Sequence, residues 1–180
     1  ILGRYPHQLS GGERQRIMLA RLLMIRPKVI VCDEPISMID ASLRALFLNI
    51  LLNFKKEYDI SNIFITHNLA PADYLGGHMI ILYQGKVVEE GPVDSIIAAP
   101  KHPYTKILLS CIPAPDPDRR WEDKLTLKIG SIVKPSASLE NELGCIFYPR
   151  CPDSLEICRE KPPKMVTIKD RRVACHLYYN

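Results

Sequence analysis

Hydrophobic and polar positions alternate between helix-like and strand-like spacing through the first ninety residues. Residues 12–26 have the pattern of a helix, which Pro27 ends because proline cannot continue it. Residues 29–32 form a short apolar run rich in β-branched side chains, and residues 63–65 form another. Such runs, without alternation, are typical of strands covered on both faces, as in a parallel sheet. Asp40 is placed to cap a helix whose apolar positions recur every three or four residues: Leu43, Leu46, Phe47, Ile50, Leu51, Phe54 and Tyr58.

A further strand-like region precedes a change in the character of the chain. Residues 79–83 and 86–89 flank a Gln-Gly pair, which predicts a hairpin. Strands that alternate with helices indicate an α/β layered fold. Eleven of the fifteen prolines lie in the second half of the chain. We predict two short helices there, at 93–99 and 104–111, then a stiff linker over 112–118 and a small irregular module.

Composition is that of a globular protein, with 47% hydrophobic and 24% charged residues. The net charge of +4 is too small to indicate binding to nucleic acid or to an anionic membrane. The most apolar stretch, residues 17–25, contains Arg21 and is shorter than the about 20 residues that a membrane-spanning helix needs. The chain starts with Ile1 rather than methionine, so we expect it to be a fragment.

A glycine-rich helix start is the first candidate for chemistry. Ser10, Gly11 and Gly12 open the predicted first helix. Adjacent glycines let the backbone approach a ligand, and exposed N–H groups at the positive helix end favour an anion, so the pattern indicates a phosphate site. A serine N-cap followed by a glycine-rich turn accounts for the same residues without a ligand. From these residues alone, both interpretations stay open.

Polar residues follow each of the two short apolar runs. Asp33 and Glu34 follow the first, where one carboxylate can hold Mg²⁺ on a nucleotide and its neighbour can activate water. His67 follows the second, and Asp40 lies six residues after Glu34. Two acids at a strand end also occur as caps or solvent-facing groups, and a single histidine is commonly structural. The order of the motifs is therefore more informative than any one of them.

Taken in this order, the motifs resemble those of the ATP-binding subunit of ABC transporters. Residues 9–15 are similar to the family signature, residues 29–34 to Walker B with its catalytic glutamate, residues 37–40 to the D-loop, and His67 to the switch histidine. The resemblance implies the C-terminal part of an ABC-type P-loop ATPase domain, with a parallel-sheet core and helices, that uses ATP and Mg²⁺. It implies that Asp33 holds the Mg²⁺ and that Glu34, His67 and Asp40 are catalytic.

The resemblance also implies that ATP lies between two subunits. Ser10, Gly11, Gly12 and Gln15 would then contact ATP held by the phosphate loop of the partner subunit. The sequence contains no G-x-x-x-x-G-K-[ST] motif, and the family's glutamine loop is also absent. We therefore expect the N-terminal part of the ATPase to be missing, and the chain alone to hydrolyse no ATP above background.

Four cysteines in the C-terminal region form a second candidate site: Cys145, Cys151, Cys158 and Cys175. An ATPase works in a reducing compartment, which favours metal binding over disulfides. The cysteines lack the C-x₂₋₄-C pairs that zinc usually takes, whereas iron–sulfur clusters accept more varied spacing. Free thiols in a loop-rich tail are the alternative.

This region and residues 101–105 resemble the C-terminal extension of oligopeptide and dipeptide importer ATPases. The resemblance implies a [4Fe–4S] cluster on the four cysteines, zinc being less favoured, with His176 a bystander beside one ligand. Three arginines could offset the negative charge of the cluster: Arg150, Arg171 and Arg172. We expect Cys32 and Cys111 to be inert core thiols.

The two resemblances predict the ATP-hydrolysing subunit of an ABC importer for dipeptides, oligopeptides or a related substrate such as nickel. We divide the chain into the ATPase part at 1–91, a helical and proline-rich linker at 92–120, and the extension with the four-cysteine site at 121–180. Expected partners are a second ATPase subunit, identical or different, and transmembrane permease subunits fed by an extracytoplasmic peptide-binding protein. The expected location is peripheral, on the cytoplasmic side of the cell membrane, with no nucleic acid partner.

Two alternatives remain at this stage. One is an ABC-type ATPase of DNA repair or chromosome maintenance with a metal-binding cysteine module, which the weak positive charge and the lack of C-x-x-C pairs disfavour. The other makes the C-terminal extension a regulatory or scaffolding module rather than part of catalysis.

Overall fold

The computed structural model describes residues 3–37, 39–112 and 143–179. Met38 of the predicted D-loop and nearly all of the predicted linker at 112–118 lie outside these residues. The helices are α1 (Gly11–Ile25), α2 (Ala41–Tyr58), α3 (Leu69–Leu75), α4 (Val93–Ala98), α5 (Pro103–Ser110) and α6 (Ile157–Glu160). The strands are β1 (Val29–Asp33), β2 (Ser61–Ile65), β3 (His78–Tyr83), β4 (Lys86–Pro92), β5 (Met165–Ile168) and β6 (Arg171–Ala174). The chain forms two compact units, Ile1–Leu75 and Gly76–Asn180.

The first unit is a two-stranded parallel sheet with helices packed on it. β1 pairs with β2 in a register that places Val31 opposite Ile63. Helix α1 ends at Arg26, whose left-handed backbone (φ +49°) precedes Pro27. The predicted stripe of α2 is confirmed in its central part: Phe47, Leu51 and Phe54 are buried in the core, whereas Leu46 and Tyr58 are exposed.

The sheet of the first unit is covered on one face only among the described residues, so the prediction of strands covered on both faces is wrong here. Ile30 and Cys32 face the core, whereas their neighbours alternate to the other face. Four β-branched side chains there are 47–63% exposed: Val29, Val31, Ile63 and Ile65. An uninterrupted apolar run therefore gave no indication of which face the helices of this unit cover.

The second unit is built on the predicted hairpin, which is confirmed. β3 and β4 pair antiparallel, and Gln84 and Gly85 between them both have positive φ, as a two-residue primed turn requires. β4 continues to β6 and then β5, giving the order β3-β4-β6-β5. The prediction of an irregular C-terminal module is therefore wrong for these residues, because β5 and β6 extend the sheet of the hairpin.

A buried polar network joins β4 to β6 and to the segment before α5. Glu89 is fully buried, and its carboxylate accepts the N–H groups of Lys101 (3.0 Å) and His102 (2.9 Å). Arg171 lies 3.7 Å from this carboxylate and donates to the carbonyl oxygen of Ala99 at 2.6 Å. Arg171 is thus engaged within this network, and Arg172 pairs with Glu90, while the role predicted for Arg150, Arg171 and Arg172 beside a cluster stays a prediction.

His102 is itself a buried polar residue at the start of α5. Its Nδ1 accepts the N–H of Tyr104 at 3.0 Å, so the imidazole caps the helix. Burial disfavours the imidazolium and lowers the pKa of His102 to about 4, so the side chain is neutral near pH 7.

Candidate functional site

The glycine-rich helix start forms a capping box. Ser10 Oγ accepts the N–H of Glu13 at 3.2 Å, and a Glu13 carboxylate oxygen accepts the N–H of Ser10 at 2.8 Å. These bonds to Ser10 lower the pKa of Glu13. Gly11 and Gly12 follow as the first helical residues, and such N–H groups have no partner within a helix. The capping interpretation is thus realised, with backbone and side-chain hydrogen bonds between Ser10 and Glu13.

Glu34 and His67 meet at the carboxyl ends of β1 and β2. One carboxylate oxygen of Glu34 accepts the N–H of His67 at 3.0 Å and lies 2.7 Å from Nδ1 of the imidazole. Because an ionised carboxylate only accepts, Nδ1 carries the proton and Nε2 is left for another partner. Glu34 also has a left-handed backbone (φ +46°), which is costly for a residue with a side chain.

The two remaining acidic residues of the prediction lie on either side of Glu34 in the sequence. Asp33 is exposed at the end of β1. Asp40 occupies the N-cap position of α2, as predicted, but its carboxylate makes no capping hydrogen bond. Its carbonyl oxygen instead accepts the N–H groups of Leu43 and Arg44, both at 3.0 Å. Both carboxylates are therefore available for a ligand.

Three of the four C-terminal cysteines lie in one apolar region of the second unit, and the fourth, Cys175, is buried near them. Cys145 and Cys158 are buried with Phe147, and Cys151 packs against them. The N–H of Cys145 donates to the carbonyl oxygen of Cys158 at 2.8 Å. Burial raises the pKa of the Cys151 thiol to about 12, and the nearby thiols of Cys175 and Cys145 add to the rise.

Within residues 3–37, 39–112 and 143–179, no three His, Cys, Asp or Glu side chains are placed to hold a metal ion. Neither the predicted cluster nor the zinc alternative is therefore confirmed. His176 Nε2 lies 2.9 Å from the carbonyl oxygen of Lys161, and therefore donates to it. Cys32 is buried as predicted, but Cys111 is exposed at the end of α5, where the prediction of a core thiol is wrong.

Two family models match the chain. One, described as ABC transporter, matches residues 1–37, and the other, described as Oligopeptide/dipeptide transporter, C-terminal region, matches residues 88–158. The chain is 41% identical over 173 residues to the di/tripeptide transport ATP-binding protein DppF of Pseudomonas aeruginosa. It is 38% identical over 175 residues to the oligopeptide transport ATP-binding protein OppF of Salmonella typhimurium. The chain is thus similar over nearly its whole length to ATP-binding proteins of peptide ABC transporters.

The chain spans about half the length of the curated relatives it matches. Each alignment includes 96–97% of the chain but 52% of the relative. The resemblance predicted from the motifs is confirmed, while the roles of individual residues stay predictions. No helix in the described part is both long and apolar enough to cross a membrane.

One feature of this candidate site was not predicted from the sequence. The motifs predicted that Glu34 and His67 belong to one site, but they did not predict a direct hydrogen bond between them. The structure shows this bond between residues that are 33 positions apart in the chain. A usable signal was present, because residues that follow two paired parallel strands lie at the same sheet edge.

Proposed function

We propose that this chain is the C-terminal half of an ATP-hydrolysing subunit that powers the import of dipeptides or oligopeptides across the cytoplasmic membrane. The observation that carries the proposal is the hydrogen-bonded pair of Glu34 and His67 at the ends of two parallel strands. That edge is where open α/β sheets place their ligands. The relatives' names, which specify peptide transport, support the substrate class.

The residues fit ATP and Mg²⁺ by the chemistry of their donor atoms. Asp33 offers an exposed carboxylate, the ligand type that Mg²⁺ prefers, and bound Mg²⁺ would neutralise phosphate charge. Glu34 accepts a proton from the attacking water, and His67 holds one oxygen of that carboxylate in place. Asp40, which makes no cap bond, is free to contact the opposite subunit.

In this proposal, residues at the start of α1 bind the nucleotide that is held by a second subunit. The Ser10 hydroxyl and the N–H groups of Gly11 and Gly12 would donate to the terminal phosphate, and Gln15 would contact the same nucleotide. The second ATPase subunit, identical or different, is thus a required partner. Transmembrane permease subunits and, indirectly, an extracytoplasmic peptide-binding protein complete the assembly, with this chain peripheral on the cytoplasmic side.

Peptide-stimulated ATP turnover by the full-length protein, assembled with its permease in vesicles, tests the proposed function. We expect Mg²⁺-dependent turnover that rises when peptide and binding protein are added. The 180-residue chain alone should show none above background, because its sequence has no phosphate-loop motif. ATP turnover by the 180-residue chain alone would contradict the proposal. So would a full-length assembly whose ATP turnover does not rise when peptide is added.

We also propose that Cys145, Cys151, Cys158 and Cys175 hold a [4Fe–4S] cluster. Cys145 and Cys158 are adjacent in one apolar region, and the other two thiols interact electrostatically with Cys145. Four thiols are the donor set of such a cluster, which would supply a structural clip or a one-electron centre.

Anaerobic reconstitution of the 180-residue chain with iron and sulfide tests the cluster. We expect about four irons per chain and a brown colour with absorbance near about 400 nm. Cys158→Ser should lose this signal, whereas Cys32→Ser, a buried thiol in the other unit, should keep it. Stoichiometric zinc without iron, or an unchanged spectrum in Cys158→Ser, would reject the proposal.

A further inference from the structure

The second glycine of the helix start is in close contact with α2 of its own chain. A Cβ atom built on Gly12 lies 2.9 Å from Cδ1 of Leu43 and 3.8 Å from Cγ2 of Ile39. Carbon atoms in contact prefer about 3.5–4.0 Å, so Leu43 already occupies the space that a side chain at residue 12 needs. The contacted atom is the far end of a flexible side chain, so a methyl group at residue 12 would displace Cδ1 of Leu43.

Leu43 belongs to a short segment that also holds Asp40. The Leu43 N–H donates to the carbonyl oxygen of Asp40 at 3.0 Å. Arg44 donates through Nε to the carbonyl oxygen of Ile39 at 2.9 Å, and Ile39 itself is buried. Hydrogen bonds thus connect Leu43 and Arg44 directly to the turn that presents Asp40.

We propose that Leu43 is a positioning residue of the ATPase. Its contact with Gly12 fixes the start of α1, which carries Ser10, against the turn that carries Asp40. This inference rests on the proposed function, and it assigns to Leu43 a role that none of the motifs includes.

Two explanations of the glycine requirement make different predictions. If an added methyl group at residue 12 only blocks the phosphate, no change at Leu43 can restore activity. If the methyl group acts by displacing Leu43, a shorter side chain there relieves the displacement. Gly12→Ala adds one carbon and Leu43→Val removes one, so the double variant conserves volume at the contact.

The test is a double-variant cycle on ATP turnover and nucleotide affinity in the full-length protein. We expect Gly12→Ala to lower kcat about 10-fold with nucleotide affinity unchanged within about twofold, and Leu43→Val alone to lower kcat about twofold. The double variant should recover to within about threefold of the wild type. Leu46→Val is the matched control, because Leu46 lines the same depression and is not among the three nearest neighbours of the Gly12 Cβ position.

Each result decides between the explanations. A double variant as slow as Gly12→Ala, or equal recovery with Leu46→Val, would overturn the role of Leu43. An inactive wild-type protein would instead contradict the proposed function. In that case thermal unfolding of the 180-residue chain still tests the contact: Gly12→Ala should lower Tm, Leu43→Val should restore it, and independent effects on Tm would refute the contact.

Discussion

Glu34→Gln in the full-length protein is expected to lower ATP turnover about 100- to 1,000-fold while nucleotide binding is retained. The glutamine oxygen can still accept the N–H of His67, so the shape of the strand-end site is kept. The amide cannot take a proton from the attacking water, which is the role proposed for the carboxylate. Single-turnover hydrolysis and equilibrium binding of ATP measure the two effects separately.

Glu57→Gln is the matched control for this change. Glu57 is an exposed glutamate in the last turn of α2, and the same removal of one negative charge there should leave turnover unchanged within about twofold. A Glu34→Gln protein with near-normal turnover would show that another group activates water. Equal losses in both variants would point to net charge rather than to proton transfer.

Arg171→Met is expected to destabilise the second unit by about 3–5 kcal/mol. The substitution keeps an apolar chain of similar length but leaves the fully buried Glu89 carboxylate without its cationic partner. It also removes the donor to the carbonyl oxygen of Ala99. Amide hydrogen exchange in β4 and β6 of the 180-residue chain measures the loss, because these strands carry the two residues.

The neighbouring arginine provides the control for that experiment. Arg172 pairs with Glu90 at 2.7 Å, but its side chain is 57% exposed, so Arg172→Met should cost less than about 1 kcal/mol. The two substitutions are chemically identical and differ in burial of the ion pair. Equal protection of the β4 and β6 amides from hydrogen exchange in the two variants would contradict the assignment of Glu89 and Arg171 as a stabilising buried pair.

Local signals in the sequence predicted the elements with regular periodicity. Helix α1 begins at the serine and glycines of residues 10–12 and ends just before the proline at residue 27. The Gln-Gly pair forms the β3–β4 turn. Such residues determine the backbone conformation of their immediate neighbours, so the sequence alone reveals them. The order of the motifs likewise indicated the similarity to ATP-binding proteins of peptide ABC transporters. Features that depend on distant neighbours were harder to predict.

β6 shows why the C-terminal sheet was missed. The strand contains two adjacent arginines, and Arg171 faces the interior, where Glu89 compensates its charge. A sequence pattern that treats arginine as a surface residue therefore reads this strand as irregular. Cys111 shows the opposite error, since a residue predicted to be buried is exposed. An apolar helix end does not specify which side of the helix the fold covers.

Contacts within the candidate site were also beyond the sequence pattern. The Glu34–His67 hydrogen bonds depend on the register of β1 with β2, and the Gly12–Leu43 contact depends on how closely α1 and α2 pack. Motifs identify residue types and their order in the chain. Distances between these residues arise only when the elements pack.

The central claim is that one chain supplies the glutamate while another supplies the glycine-rich helix start to the same ATP. It is tested in dimers of two differently tagged full-length copies, one carrying Glu34→Gln and the other Ser10→Arg. We predict that these mixed dimers retain turnover well above that of either parent, because one site keeps both intact parts. Pairing the wild type with a copy that carries both substitutions should give no turnover. The opposite outcome, with activity only in the second pairing, would place both parts in one subunit and contradict the claim.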